Sequence, residues 1–437
     1  MKPFNNIRLT RSAGFHEMKD AMENPKMTSR ERVLAAINHQ EADAIPVDLG
    51  ATPSSGISAI AYYNLKKHIE MDGPTRVYDI IQQVAQPEDA MLNKLGIDAI
   101  DIGRSFNERP EDWYDFVLPQ GMTVQFPVWF RPRQLAESGW DVLDKTGTRI
   151  AYMPYGATFF DQTCFPYLDG YPSDFKNLPT AMSKVHWSGL VHSPWDHASE
   201  ADFWQQLRQR AIALRQSSDR ALVVVAGCNL FEWGTFLRRM DNFLMDLASD
   251  QANVERLLDA LMEQHLQTLE KVCEAVGDVV DILRFGDDLG TDQGPFMAPK
   301  TYQKLFKPRH SQLTHYVHTH SQMKTFLHSC GSIYKLLPDL IEAGYDVINP
   351  VQITSKNMEP ERLKKEFGRE ITFWGGGADT RHIINQATPD QVKDHVRRNI
   401  EILSPGGGFV FNTVHNILPD VPPENVMAMF EAIDEYR

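Results

Sequence analysis

Eight short apolar runs, most of them followed by a loop and an amphipathic stretch, limit this chain to few architectures. They lie at 44–49, 99–103, 222–227, 280–285, 323–328, 346–349, 371–375 and 408–412. Several are apolar throughout, as in Leu222-Val223-Val224-Val225. Strands covered by helices on both faces read this way, so a parallel sheet is expected. The helical stretches carry their own start and stop signals. Thr28 can cap a helix while Glu31 reaches back, ahead of Val33, Leu34 and Ile37. The stretch 299–321 opens on Pro299, 332–343 ends at Gly344, and 388–403 runs from Thr388-Pro389-Asp390 to Pro405-Gly406-Gly407. Eight such units predict an α/β fold, a closed (β/α)8 TIM barrel. A doubly wound open sheet is the runner-up. It needs a phosphate-binding glycine turn after an early strand, and none stands there.

At 437 residues the chain is long for one ordinary domain, but a barrel with insertions reaches this size on a single core. The expected organisation is a polar N-terminal extension at 1–27 and one barrel domain over 28–437, with an insertion at about 104–221. Within the insertion, 140–143 and 148–152 flank Lys145-Thr146-Gly147, which predicts a β-hairpin. The insertion is expected over the barrel mouth, as a lid or a homodimer contact. With 44 basic against 58 acidic residues, the net charge of −14 argues against nucleic-acid binding, which needs a basic face. The four cysteines are far apart, so no disulfide framework is expected and a reducing compartment fits. No apolar run reaches the length of a membrane span, and the N-terminus lacks an apolar signal core, so a cytoplasmic protein is expected.

Barrel enzymes place their chemistry at the C-terminal ends of the strands. Here those ends offer Asp48, Asp101, Cys228, Glu232, Asp287, Asp288, His328, Cys330, Asn349, Gln352, Trp374 and His415. His328 and Cys330, two apart where a strand turns into a loop, can both reach one Zn2+, and His415 can supply a third ligand. Three protein ligands leave a fourth position open, the pattern of a catalytic zinc. On spacing alone, a buried His and a buried Cys without metal is the simpler reading, since His-x-Cys is a short motif and Cys is often a small core residue. Asp287, Asp288 and Asp101 are the candidates for acid–base work. For the Asp pair the alternative is that one caps a turn and the other pairs with an arginine. Asp48, Cys228, Glu232, Asn349, Gln352 and Trp374 are the candidate substrate-binding residues. Gly375-Gly376-Gly377 reads as a tight turn before it reads as a phosphate cradle. His310, His315, His318 and His320 share a helix but not one face, so a solvated surface is expected.

The stretch Gly407-Gly408-Phe409-Val410-Phe411-Asn412-Thr413-Val414-His415-Asn416-Ile417, followed by Pro419-Asp420-Val421-Pro422-Pro423-Glu424-Asn425-Val426, resembles the last strand and final helix start of the uroporphyrinogen decarboxylase superfamily. So does Leu327-His328-Ser329-Cys330-Gly331-Ser332, with Asp339-Leu340-Ile341-Glu342-Ala343-Gly344 after it. Thr28-Ser29-Arg30-Glu31-Arg32-Val33 and Leu95-Gly96-Ile97-Asp98-Ala99 look like the superfamily's N-terminal helix and second strand. The resemblance runs from about residue 28 to the C-terminus and is weakest from 110 to 200. It implies either a cofactor-free decarboxylase or a methyltransferase that uses zinc together with a corrinoid. The methyltransferase branch holds zinc with a His-x-Cys pair and a distant Cys. His328 and Cys330 match the pair, and His415 falls where the second Cys is expected. The decarboxylase branch grips its polycarboxylate substrate with arginines just after the first strand. Here Pro46-Val47-Asp48-Leu49-Gly50-Ala51-Thr52-Pro53-Ser54-Ser55 has no arginine, and its Asp48 would repel such a substrate.

The expectation is therefore a zinc-dependent methyltransferase moving a methyl group between a small methylated substrate or thiol and a corrinoid, which a partner protein can carry. Two alternatives stand beside it. One is a metal-free decarboxylase or lyase using Asp101, Asp288 and His415 on a carboxylated substrate. The other is a non-catalytic corrinoid- or tetrapyrrole-binding protein.

Overall fold

A computed structural model describes residues 26–437. The expected extension at 1–27 thus lies almost wholly outside the described residues. Seven parallel strands form one sheet in sequence order: β1 Ala99–Asp101, β2 Ala221–Gly227, β3 Ile282–Gly286, β4 Lys324–His328, β5 Val347–Asn349, β6 Thr372–Trp374 and β7 Phe409–Val410. Each matches one of the apolar runs. The remaining run, 44–49, is reduced to a bridge at Val47, yet it closes the barrel. Phe411 N donates to Pro46 O at 2.8 Å and Asp48 N to Phe411 O at 2.9 Å on one side, while Asp98 N donates to Val47 O at 2.8 Å on the other. The fold is a TIM-barrel-like α/β barrel, as expected.

Helix α1, Ser29–Ile37, starts in the capping box read from Thr28 and Glu31. Its Val33, Ala36 and Ile37 pack into the barrel interior with Ala99, Val223, Ile282, Phe326 and Trp374, plugging the N-terminal end. The opposite end carries the site. The stretch 299–321 breaks at Phe306 into helices Pro299–Leu305 and Lys307–His320. His310 departs from the expected solvated surface. It is 1% exposed and bonds Asp287 and the Tyr302 hydroxyl, because it falls on the buried face of its helix. The glycine run is a tight turn, as expected: Gly375 has φ +130°, and a Cβ there would lie 2.1 Å from Pro350 O.

Within the insertion, Gly139–Leu143 and Arg149–Pro154 pair as the expected hairpin, inside a four-stranded antiparallel sheet. The insertion reaches the C-terminal ends of the first two barrel strands. Trp195 Nε1 donates to Val225 O at 2.6 Å, and Ser193 sits on Gly103, where a Cβ would meet Ser193 O at 2.1 Å. Helix α2, Phe203–Ser217, also lies within 104–221, and it leads straight into β2 as a barrel helix does. None of the four cysteines forms a disulfide. Among the described residues, no helix is long and apolar enough to cross a membrane.

Candidate metal centre

Parallel pairing sets Gly286, His328 and Asn349 side by side at the ends of β3, β4 and β5. Cys330 follows two residues on, and His415 comes from the loop after β7. The ligand atoms of His328, Cys330 and His415 lie within 4.8 Å of one another. Cys330 Sγ is 3.4 Å from His328 Nε2. The tautomer of His328 is fixed from behind. Asn349 Nδ2 donates to Trp374 O at 2.8 Å, which leaves Asn349 Oδ1 to accept the His328 Nδ1 proton at 2.6 Å. The lone pair therefore sits on Nε2, facing the sulfur, in the arrangement that metal-ligating histidines use. Burial pushes both His328 and His415 down to about 3, so both rings stay neutral, as metal ligands must. At His415 the Asn416 N–H is directed to Nδ1 at 2.8 Å, so this ring offers Nε2 to a metal only in the tautomer that gives up that contact.

The surroundings of the trio are acidic. Asp288 Oδ1 accepts from Cys330 N at 2.8 Å and lies 3.7 Å from His328 Nε2. Glu232 stands on helix α3, Phe231–Arg238, held by the Asn229 amide. Burial, then the charge of Asp288, raises Glu232 well above the usual carboxylate range, and burial raises Asp288 as well. Burial, Asp288 and Glu232 likewise drive the Cys330 thiol up. Two carboxyls and a thiol that all resist ionisation together are a donor set suited to a divalent cation, which reverses each of those shifts. The donors present thus fit zinc.

The other candidates divide. Asp287 is fully buried, with both oxygens committed: Phe231 N and Glu232 N donate to it at 3.0 and 2.9 Å, and His310 Nε2 lies at 3.1 Å. It holds the start of α3, the capping role that the sequence left open for one member of the pair. Two of the candidate substrate-binding residues, Asn349 and Gln352, make hydrogen bonds within the wall of the site. Asn349 orients His328, and Gln352 ties Gly331 N to Asp292 at 2.9 and 2.6 Å. Trp374 and Asp48 bond each other at 2.8 Å inside the barrel wall, which leaves neither open to substrate. Cys228 is buried in the core outside the barrel, its thiol pushed up to about 12 by burial. Asn349, Trp374 and Asp48 face the barrel interior, but their polar atoms are taken up by one another and by His328.

Asp101 keeps one oxygen bare. Oδ1 accepts from Gly103 N at 2.5 Å, while Oδ2 is buried without a partner. Burial raises this carboxyl to about 6. Its unfolded value is near 4, so the folded state holds the proton more tightly and loses stability as pH rises from about 4 to about 6. Asp101→Asn removes that loss. Relative to wild type, the variant is expected to gain about 2 kcal/mol between pH 4.5 and pH 7.5, read from urea unfolding at both pH values. A difference independent of pH would show that Asp101 ionises normally.

Three residues at the mouth escaped the sequence reading: Arg284, Tyr78 and His192. Arg284 left a signal, a lone charge inside Ile282-Leu283-Arg284-Phe285. Tyr78 and His192, whose rings meet edge to face at 5.7 Å, left none, because neither follows a barrel strand.

With this geometry in hand, comparison with known proteins is informative. Residues 230–436 match the family model of uroporphyrinogen decarboxylase. The matched segment is just under half of the chain. It contains α3, strands β3 to β7 and all three members of the His-Cys-His trio, whereas the motifs at 28–33 and 95–99 lie outside it. A uroporphyrinogen decarboxylase from Methylococcus capsulatus is 30% identical over 100 residues, 23% of this chain and 27% of that protein. A methylcobamide:CoM methyltransferase from Methanosarcina barkeri is 24% identical over 186 residues, 42% of this chain and 49% of that one. The matches thus span less than half the length of either curated relative. The solved structure of a methyltransferase from Methanosarcina mazei aligns over 94% of this chain and 99% of that chain, with a TM-score of 0.56 and 17% identity. At that identity the likeness shows the shared fold.

Proposed function

We propose that this chain is a zinc-dependent methyltransferase of the uroporphyrinogen decarboxylase superfamily, moving a methyl group between a small methylated substrate or thiol and a corrinoid. The observation that carries the reading is the convergence of His328, Cys330 and His415 at the barrel mouth. The methyltransferase named among the relatives supports it. When bound, zinc supplies Lewis acidity and a low thiol pKa at its open position. The chain's own residues do the rest. Asn349 keeps His328 Nε2 turned toward Cys330, and Asp288 fixes the backbone of Cys330. In the thiol-methylating direction the substrate thiol gives up its proton, and its sulfur bonds the methyl carbon as that carbon's bond to the donor breaks, the bonding pair staying with the donor. Glu232 and Asp288, the carboxyls bordering the trio, are the groups to which we assign that proton. The insertion, seated on the ends of β1 and β2, flanks the mouth where a corrinoid on a partner protein would dock.

The test is metal content. Protein purified without added metal or a histidine tag is expected to carry near-stoichiometric zinc by mass spectrometry, and the His328→Ala/Cys330→Ala double variant little. A zinc-free wild type, even after incubation with the metal, would overturn the reading. The metal-free lyase then moves first, because the bare oxygen of Asp101 favours it.

A further inference from the structure

Arg284 lacks the carboxylate partner that other enclosed arginines have. Arg32 is paired with Asp43 and Asp98, and Arg238 with Asp246. Arg284 rises from the middle of β3 into the barrel interior, level with Val225 and Phe326. Among the described residues its one hydrogen bond runs from Nη2 to the Ser54 hydroxyl at 3.0 Å, and no carboxylate lies within ion-pairing distance. Its Nε is buried with no partner. Space has been kept for the guanidinium: a Cβ on Gly286 would lie 3.0 Å from Nη1 and 2.7 Å from the Asn229 amide nitrogen.

The nearest acids are committed elsewhere, Glu232 to Asn229 and Asp288 to Cys330 N. Tyr78 presents a second buried donor. Its hydroxyl has no partner and lies close enough to feel both Arg284 and Asp101. An enclosed, unpaired guanidinium is costly, and so is an unpaired buried hydroxyl. Two orphan donors beside each other suit one acceptor-rich group.

We propose that Arg284, with the Tyr78 hydroxyl beside it, binds a single carboxylate or sulfonate head of the substrate. The proposal names the substrate class of the same barrel mouth. It rests on reading that mouth as the active site and does not need the metal. One guanidinium among Asp101, Glu232 and Asp288 accepts one negative head and repels a polyanion. The head enters through a different wall from the one the decarboxylase resemblance implies. No arginine stands in the segment after the first strand, and Arg284 reaches that segment at Ser54 from across the barrel. Gly286, two residues beyond Arg284, pairs with His328, so the rest of a small substrate extends from the head toward the His-Cys-His trio.

Calorimetry on the full chain tests this with three probes: propionate, ethanesulfonate and neutral propionamide. Wild type is expected to bind at least one anion about tenfold or more tightly than propionamide, since charge-assisted hydrogen bonds exceed neutral ones by this order. The preferred anion distinguishes a carboxylate from a sulfonate head. Arg284→Gln should abolish the preference, and His328→Ala/Cys330→Ala should keep it. No preference in wild type, or one that survives Arg284→Gln, overturns the proposal. So does a preference lost in the double variant, because the anion then sits on a metal. Should Arg284→Gln fail to fold, Ser54→Ala and Tyr78→Phe replace it, and anion affinity unchanged in both counts against the subsite. Zinc missing from a wild type that still prefers the anion would remove the methyltransferase reading and support this one.

Discussion

Cys330→Ala is expected to lower methyl transfer from methylcobalamin to a thiol acceptor by at least about 100-fold, the scale on which loss of even an outer-shell partner can act. Cys273→Ala should leave the rate unchanged. The two thiols are alike in being buried and pushed upward, so burial alone does not separate them. Position does. Cys330 faces His328 Nε2 at 3.4 Å and receives its backbone placement from Asp288, whereas Cys273 lies on the helix Gln251–Val276, outside the barrel. Asn349→Ala should fall between them. It leaves all three ligand side chains in place but frees the His328 ring to turn, which lowers metal affinity before it touches the chemistry. An undiminished rate in Cys330→Ala would sink the metal mechanism.

Much of the barrel was legible because its strands are written twice, once in apolar runs and once in the capping signals of the helices between them. Leu222-Val223-Val224-Val225 could hardly be anything but an interior strand, and Thr28 with Glu31 marked the first turn of α1. The His-Cys-His trio was legible because strand ends in a parallel barrel converge on one mouth, whatever their distance in sequence. What the sequence hid is which partner each strand-end residue takes. Asp287 and Asp288 are adjacent, yet one anchors α3 and the other borders Cys330. Asn349 and Trp374, read as candidate substrate contacts, form a chain of hydrogen bonds behind His328 that spacing did not reveal. Spacing identifies residues near a site, but side-chain direction there depends on loop geometry that no periodicity encodes. Tyr78 and His192 were invisible for a related reason, since tertiary packing alone brings them to the mouth.

The same convergence predicts where the barrel is most easily broken. Asp98, directly before β1, is wholly buried and serves three elements at once. Its Oδ1 accepts from Arg32 Nη1 at 2.7 Å, and its Oδ2 from Arg437 Nη1 at 2.8 Å and from Val47 N at 2.9 Å. Val47 is the residue through which the sheet closes, so one carboxylate joins the plug helix, the C-terminal residue and the seam of the barrel. Asp98→Asn keeps the shape but removes the charge, leaving Arg32 to Asp43 alone and turning one amide N–H toward a donor. Breaking a buried pair in this way costs roughly 3–5 kcal/mol. Asp43→Asn, at a side chain 26% exposed, should cost about 1 kcal/mol or less. Urea unfolding of both variants checks the contrast. Equal losses would mean that the seam is held by its backbone hydrogen bonds and that the ion cluster merely decorates it; a loss confined to Asp98→Asn would mean that a strand reduced to a single bridge closes this barrel because a carboxylate holds it there.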